Sequence, residues 1–493
     1  MDTVDVLVVG SGNAALCAAL AARASGASVR VLESAPLNQR GGNSAFTGGA
    51  LRFAYSGLTD LQALMPDLTP EECRDVEFGS YSEGDFFADM ARVTENRADP
   101  DLVEVLVTKS YNTIRWMVGK GVRLQPSFGR QAFKVDGKFR FWGGLAAEIN
   151  GGGRGLIDQL SRAARDADID THYETRAIEL IGGPEGVRGV LARRKGEVVE
   201  ASARSVVLAC GGFEANREWR ARYLGPGWDL AKVRGTRFNL GDGIRMALEI
   251  GAGSAGNWSG CHSVAWDMNA PEFGDLAVGD GFQKHSYPFG IMVNALGERF
   301  LDEGADFRNF TYAKYGALIL AQPSHFAWQI FDSKVASLLR SEYRIREVTT
   351  EKADTIEALA DQLDGVDPER FLHTVQEFNE AVNTSVPFDP NVRDGRCTKA
   401  LIPPKSNWAT TIADPPFEAY RVTCGITFTF GGLSVDSSAR VLDVYGDPIG
   451  GLFAAGELVG GLFYFNYPGG AGLTAGAVFG RTAGEGAAAW AGS

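Results

Sequence analysis

The apolar run Val4–Val9 followed by Gly-Ser-Gly-Asn-Ala-Ala constrains this chain more than any other stretch of it. Such a run marks a strand buried on both faces, and here it enters a glycine turn directly ahead of an alanine-rich helix expected from about Asn13 to Arg23. A second strand, Ser28 to Leu32, ends at Glu33, 21 residues after Gly12. This spacing is the dinucleotide-binding fingerprint in its proper setting. Gly10 allows the tight turn, Gly12 and the following Asn13 and Ala14 bring a pyrophosphate to the helix N-terminus, Ala15 permits close packing, and Glu33 accepts from a ribose hydroxyl. The chain carries 62 glycines in 493 residues, nearly twice the usual share of about 7%, so backbone must come close to something at several places.

A strand–glycine–acid pattern returns more than four hundred residues later as GLFAAGE, Gly451 to Glu457, followed by a small-residue helix from about Leu473 to Trp490. A first-strand nucleotide site completed from the far end of the chain implies FAD in a two-part site. RGGNS, Arg40 to Ser44, would offer backbone N–H groups near the flavin, and Glu457 would bond its ribityl or ribose hydroxyls. The positive end of the last helix would face the pyrimidine ring and favour the anionic reduced form. No histidine lies near RGGNS, so a non-covalent flavin is expected. No second GxGxxG follows a strand, so NAD(P)H is not the expected reductant.

Composition narrows the partners. The net charge is −13 and no Lys/Arg run of five or more interrupts it, which argues against nucleic acid and anionic membrane surfaces. Six scattered cysteines show neither a CxxC nor metal-ligand spacing, so no metal is expected and a reducing, cytoplasmic setting is. Asp2 and Asp5 stand where a signal peptide needs basic residues, and no apolar run reaches the ~18 residues a membrane span needs.

Between the two ends the texture changes twice. After helices expected at Asp101 to Val118 and Gly155 to Ala167, short strands with turns at Gly182-Gly183 and Lys195-Gly196 suggest a β-meander from Arg176 to Ala209. GDG, Gly241 to Gly243, opens a helix to Ile250. From about Asn257 to Phe430 the sequence is richer in aromatics and polar loops, with one long helix at Pro368 to Val382, and reads as a separate cap. The expected fold is therefore α/β: a Rossmann-like FAD-binding domain with a β-meander, residues 1–256 and 431–493, and an inserted α+β capping domain, residues 257–430.

VDVLVVGSGNAA, Glu33, RGGNS, VVLACGGF (Val206 to Phe213), GDG and GLFAAGELVGG resemble the flavoprotein family of fumarate reductase and succinate dehydrogenase, which includes 3-ketosteroid dehydrogenases. The likeness extends over nearly the whole chain. Within the family, GCHSVAWD (Gly260 to Asp267), VTCGITFTFGGL (Val422 to Leu433) and GLFYFNYPGG (Gly461 to Gly470) look most like tricarballylate dehydrogenases, which desaturate tricarballylate to cis-aconitate. The resemblance implies a cofactor site formed by Gly10, Gly12, Asn13, Ala14, Glu33, Gly42, Asn43, Ser44, Gly49, Ala177, Ala209, Gly211, Asp242, Gly456, Glu457, Gly470, Gly472 and Leu473. It implies a substrate held between flavin and cap.

By the same resemblance, Arg308 in ERFLDEGADFR takes the place of the family's arginine acid/base, with one more residue of spacing than fumarate reductases usually show, and His262 that of a histidine binding a substrate carboxylate. A second family histidine and an arginine are replaced by Phe428 and Tyr467. Each charge-assisted bond to a carboxylate is worth about 1.5–3 kcal/mol, so Tyr464 and Tyr467, as neutral donors, suit a bulkier or less charged substrate. The implied reaction removes hydride and proton from adjacent carbons next to a carboxylate or carbonyl, passing electrons to a separate acceptor such as a quinone or redox protein. A fumarate-reductase-like ene-reductase running it backwards, a 3-ketosteroid-dehydrogenase-like desaturase of a less charged substrate, and a binding module that keeps the fold without catalysis are the alternatives; the intact fingerprint argues against the last. An ion pair of Arg308 with Asp302, Glu303 or Asp306, and a structural His262, are the competing roles for those residues. His285, His325 and His373 have no motif around them and read as structural.

Overall fold

A computed structural model describes residues 2–142, 144–183 and 186–492, the side chain of residue 130 excepted. In chain order the elements that build the site are β1 (Val4–Val9), α1 (Asn13–Ala24), β2 (Val29–Leu32), α2 (Pro100–Gly119), α3 (Gly152–Asp166), β3 (Asp170–His172), β4 (Thr175–Gly183), β5 (Gly186–Arg194), β6 (Glu197–Leu208), α4 (Asp242–Glu249), β7 (Ser254–Asp267), α5 (Tyr312–Leu320), β8 (Ala327–Phe331), α6 (Pro368–Ala381), β9 (Phe417–Leu433), β10 (Pro448–Ala454) and α7 (Ala471–Gly492).

The first sheet runs β3-β2-β1-β6-β10, all parallel. Strand β6 does two jobs along its length. Its first half pairs antiparallel with β5, which pairs with β4, giving the expected meander, while Ala203 to Leu208 align in parallel with β1. Val6 to Val9 and Val206 to Leu208 are buried on both faces, as continuous apolar runs at the centre of a parallel sheet require. The Lys195-Gly196 turn has both residues at positive φ, 50° and 87°.

The C-terminus joins the N-terminus here. Helix α7 packs along α1, and its glycines are set by that contact: a Cβ on Gly480 would lie 2.4 Å from the Ala14 carbonyl oxygen and one on Gly484 2.1 Å from that of Ala18. Alanine on one helix and glycine on the other let the backbones touch, and α1 is buried nearly all round, which its uniformly small apolar sequence anticipates.

The second sheet is built mainly from β7, β8 and β9, with the short strands Lys232–Val233, Ile291–Val293 and Thr350–Ala353. β7 and β9 are long antiparallel partners. The domain limits expected from sequence, 256/257 and 430/431, fall within these strands at facing pairs, Gly256 opposite Gly431 and Asn257 opposite Phe430. A register shift between Asn257 and Cys261 follows these pairs. Among the described residues no helix is long and apolar enough to cross a membrane, and all six cysteines are free thiols.

Candidate active site

A continuous cavity runs from the β1–α1 turn to the second sheet. All eighteen residues expected around the cofactor line it, from Gly10, Gly12, Asn13, Ala14 and Glu33 through Gly42, Asn43, Ser44 and Gly49, Ala177, Ala209, Gly211 and Asp242, to Gly456, Glu457, Gly470, Gly472 and Leu473. The two distant ends of the chain thus wall one space.

The cavity's shape fits an FAD. Gly10 has φ +111° and a Cβ there would lie 2.3 Å from the Ala209 oxygen, so its glycine serves the packing of β1 on β6. Gly12 differs. Its backbone is ordinary, and a Cβ would meet nothing of the protein closer than 3.5 Å; at Gly42 the nearest atom is 4.0 Å away and at Gly472 3.7 Å. These glycines keep open space that the protein itself does not fill. Helix α1 has no side-chain cap at Gly12, leaving first-turn N–H groups for an anion, while Ser44 Oγ accepts from Asn13 N at 3.1 Å. Glu33 is held by Ser11 Oγ–H at 2.5 Å and the Ala35 N–H at 2.7 Å, which aims its carboxylate along the cavity wall. Asn13 Nδ2 donates to the Leu473 carbonyl at 2.7 Å and ties the two halves together. Asp242 lines the wall while accepting two bonds from Arg176, at 2.7 and 2.8 Å.

Arg308 is 8% exposed and lines the same cavity. It opens a 3₁₀ turn, Arg308–Phe310, clamped by the loop before α7: Gly469 N–H donates to the Asn309 oxygen at 2.8 Å and Asn466 Nδ2 to that of Phe310 at 2.6 Å. The acidic neighbours in sequence are engaged elsewhere. Asp302 accepts from Ser406, Glu303 pairs with Arg299 at 2.6 Å, and Asp306 with Arg92 at 2.6 Å. The carboxylate facing Arg308 is the buried Glu342, at 3.9 Å.

Tyr467 lines the cavity and its hydroxyl meets that of Tyr312, the first residue of α5. Burial pushes both phenols above their ordinary pKa, Tyr312 furthest, so both are protonated donors at neutral pH. Phe428, which also lines the cavity, packs edge-on against Tyr467 with centroids 5.2 Å apart.

Two expectations are corrected. His262 does not line the cavity: pairing with Phe428 across β7 and β9 puts its ring behind Tyr312, Phe428 and Tyr467, at 4.9, 5.1 and 4.7 Å. It is fully buried, neither ring nitrogen has a hydrogen-bond partner among the described residues, and burial, helped by Arg234, holds its pKa well below the usual value. A neutral imidazole screened by two tyrosines does not face a substrate carboxylate. Tyr464 is half-buried beside Phe465, outside the cavity lining, because Phe465 at φ +59° turns the chain between Tyr464 and Tyr467.

Sequence reasoning missed other lining residues: Arg234, Asp280, Gln283, His285, Asn309 and Tyr312. Arg234 and Asp280 form a buried pair at 2.7 Å, with Arg234 Nη1 also donating to Thr427 Oγ1 at 3.1 Å. His285 is a lining residue rather than a purely structural one, packed on Tyr312 at 4.9 Å. No motif surrounds these positions; only Asn309, next to Arg308, was signalled by its neighbour.

Residues 5–473 match the family model described as FAD binding domain. The chain is 30% identical to the probable fumarate reductase Ifc3 of Shewanella frigidimarina over 99% of its own length and 75% of that protein's. Its fold matches the open conformation of a flavocytochrome c3 fumarate reductase with a TM-score of 0.73 and 29% identity, over 99% of this chain and 79% of the other. It also matches the 3-ketosteroid delta1-dehydrogenase of Sterolibacterium denitrificans, with a TM-score of 0.75, 23% identity and coverage of 99% and 100%.

Proposed function

Because this chain belongs to the FAD-binding flavoprotein family of the fumarate reductases and succinate dehydrogenases, we propose that it desaturates a CH–CH bond beside a carboxylate or carbonyl, with Arg308 as acid/base. The chain is an FAD-dependent oxidoreductase acting on CH–CH or C=C bonds. The observation that supports the finer reading most is Arg308 itself, buried in the wall of the cofactor cavity while the acids flanking it in sequence are paired elsewhere.

Bound FAD supplies the two-electron hydride acceptor. The chain's own groups do the rest. Arg308 holds or takes the proton of the neighbouring carbon at its guanidinium, with Glu342 opposite it to balance the charge. An arginine has a pKa above 12, so it exchanges a proton only in a cleft sealed from water. The 257–430 segment provides that seal as a capping domain, with Tyr312, Asn309 and His285 on its side. Tyr467 and Tyr312 donate to the carbonyl or carboxylate that acidifies the proton. Tricarballylate is the first substrate to test, and a quinone or redox protein the expected acceptor.

A second reading, a reductase or desaturase of a less charged enone or its saturated counterpart, draws on a different observation. The wall holding Phe428, Phe463 and Tyr467 is aromatic, and neutral hydroxyls stand where a second charged contact would be. The holoprotein, kept anaerobic, decides between them. Saturated tri- or dicarboxylates or cyclic ketones that bleach the flavin establish desaturation and its substrate class. If none bleaches it, and only alkenes reoxidise the photoreduced protein, the desaturase reading fails.

A further inference from the structure

Glu214 and Glu457, absorbed by neither the acid/base chemistry nor the substrate wall, approach each other behind the cofactor cavity. Glu214 is fully buried on the segment after β6. Its Oε1 accepts from Asn43 Nδ2 and Asn239 Nδ2, both at 2.6 Å, and its Oε2 is buried with no hydrogen-bond donor among the described residues. Glu457 follows β10 and lines the cavity. Its Oε1 accepts from the Thr429 N–H at 2.9 Å, and its Oε2 stands 3.5 Å from the Asn239 amide that also serves Glu214. A Cβ on Gly212 would come within 2.3 Å of Glu457 Oε1, so the glycine there gives the carboxyl its place.

The groups facing the pair do not neutralise two charges. Arg220 is the cation near Glu214; its Nη1 and Nη2 donate to the carbonyls of Ala231 and Asp229, at 3.0 and 3.2 Å, and it stands close enough to Glu214 to offset part of one charge without forming an ion pair with it. Cys261 presents a thiol, Thr429 a hydroxyl and amide, and Asn43 and Asn239 amides. Among the described residues neither carboxylate is in an ion pair within 4 Å. Two buried carboxyls sharing a donor set repel unless a proton lies between them. Burial, and for Glu457 the Glu214 charge, holds both pKa values above the ordinary carboxyl range.

We propose that Glu214 and Glu457 share one proton, and that Glu214 is a positioning residue which through it orients Glu457 and Asn43 toward the FAD. Asn43 is the fixed point of this arrangement. Its Nδ2 donates to Glu214 and to the Thr427 carbonyl at 2.5 Å, and its Oδ1 accepts from Thr236 N at 2.8 Å, so its presentation to the cavity depends on the Glu214 carboxyl staying where it is. Loss of the proton leaves a buried dianion, which parts the two side chains and drives Glu457 into the cavity. The pair titrates as a unit, with one proton held above the ordinary carboxyl range. The sign follows: FAD retention is complete while the proton is present and declines as pH rises through the pair's upper ionisation.

The test uses the holoprotein and reads FAD affinity and the infrared C=O band of a buried protonated carboxyl, neither of which depends on the substrate. The wild type is expected to show the band and to lose FAD affinity at least about tenfold as pH rises through the ionisation at which the band disappears. Glu214→Gln, which donates from its amide where the acid donated its proton, is expected to bind FAD within a fewfold of wild type, to lack the band and to keep its affinity at alkaline pH. Glu457→Gln lacks the band as well. A wild type without the band, or a Glu214→Gln protein that releases FAD with the wild-type pH profile, overturns the proposal.

Discussion

The hydroxyls of Tyr312 and Tyr467 meet, one on the first turn of α5, the other on the loop leading into α7. The contact closes the cavity on the side of His262 and joins Tyr467, which the sequence marked as a neutral donor in place of the family's arginine, to a second phenol that it did not mark.

Tyr312→Phe and Tyr467→Phe each remove one hydroxyl and keep the ring. Each is expected to lower kcat/KM about tenfold, the worth of one buried hydrogen bond. The double variant is expected to cost little more than the larger single loss, since the partners share one contact. Fully additive losses in steady-state kinetics would separate the two hydroxyls.

Arg308→Ala is expected to retain FAD, since the bonds that tie the β1–α1 turn to Ser44 and Leu473 run between other residues, and to lose at least about a hundredfold in turnover, the lower end of acid/base contributions. Single-turnover bleaching of the bound flavin measures the step directly. Rates near wild type would remove Arg308 from the chemistry.

His262→Phe replaces a desolvated imidazole with a ring of similar shape in a box of aromatic side chains. A buried polar group without a partner is destabilising, so Tm should hold or rise. KM should stay within about twofold, because screening by Tyr312 and Tyr467 leaves no contact of ~1.4 kcal/mol or more to lose. A KM rise of tenfold or more would restore His262 to the substrate site.

Gly484→Ala forces a methyl to within 2.1 Å of the Ala18 oxygen, and Gly480→Ala one to within 2.4 Å of Ala14. Neither obstacle is a movable side chain end. Thermal unfolding should show a loss of about 1–3 kcal/mol or more for each, with FAD weakened because α1 carries the nucleotide turn.

Lys405 is buried with its Nζ on the Pro288 and Gly290 carbonyls, both at 2.7 Å, and burial lowers its pKa to about 8 from an ordinary 10.5. Between those values the unfolded chain binds a proton that the folded chain does not, so this residue makes stability rise with pH across that window. Chemical denaturation of the wild type and Lys405→Met at several pH values should show the rise in the former and its absence in the latter.

The nucleotide end of the cavity's lining was readable because its requirements are local. A turn with φ +111° at Gly10, an uncapped helix start at Gly12 and an acid at the end of β2 are each dictated by residues within one βαβ unit. The matching strand β10 and helix α7 betrayed themselves by the same glycine and small-residue chemistry, and all eighteen expected positions border one cavity.

The substrate half was decided by tertiary structure. Whether His262 faces a ligand depends on the β7–β9 register and on which rings stand in front of it, and a slip of one residue reverses every side chain on a strand. Arg234, Asp280 and His285 carry no motif, because their role comes from where unrelated loops converge. Glu214 and Glu457, 243 residues apart, have ordinary acids' sequence surroundings. Only burial beside the cavity, on a shared asparagine and, among the described residues, without a paired cation, brings the two together as a pair that shares a proton.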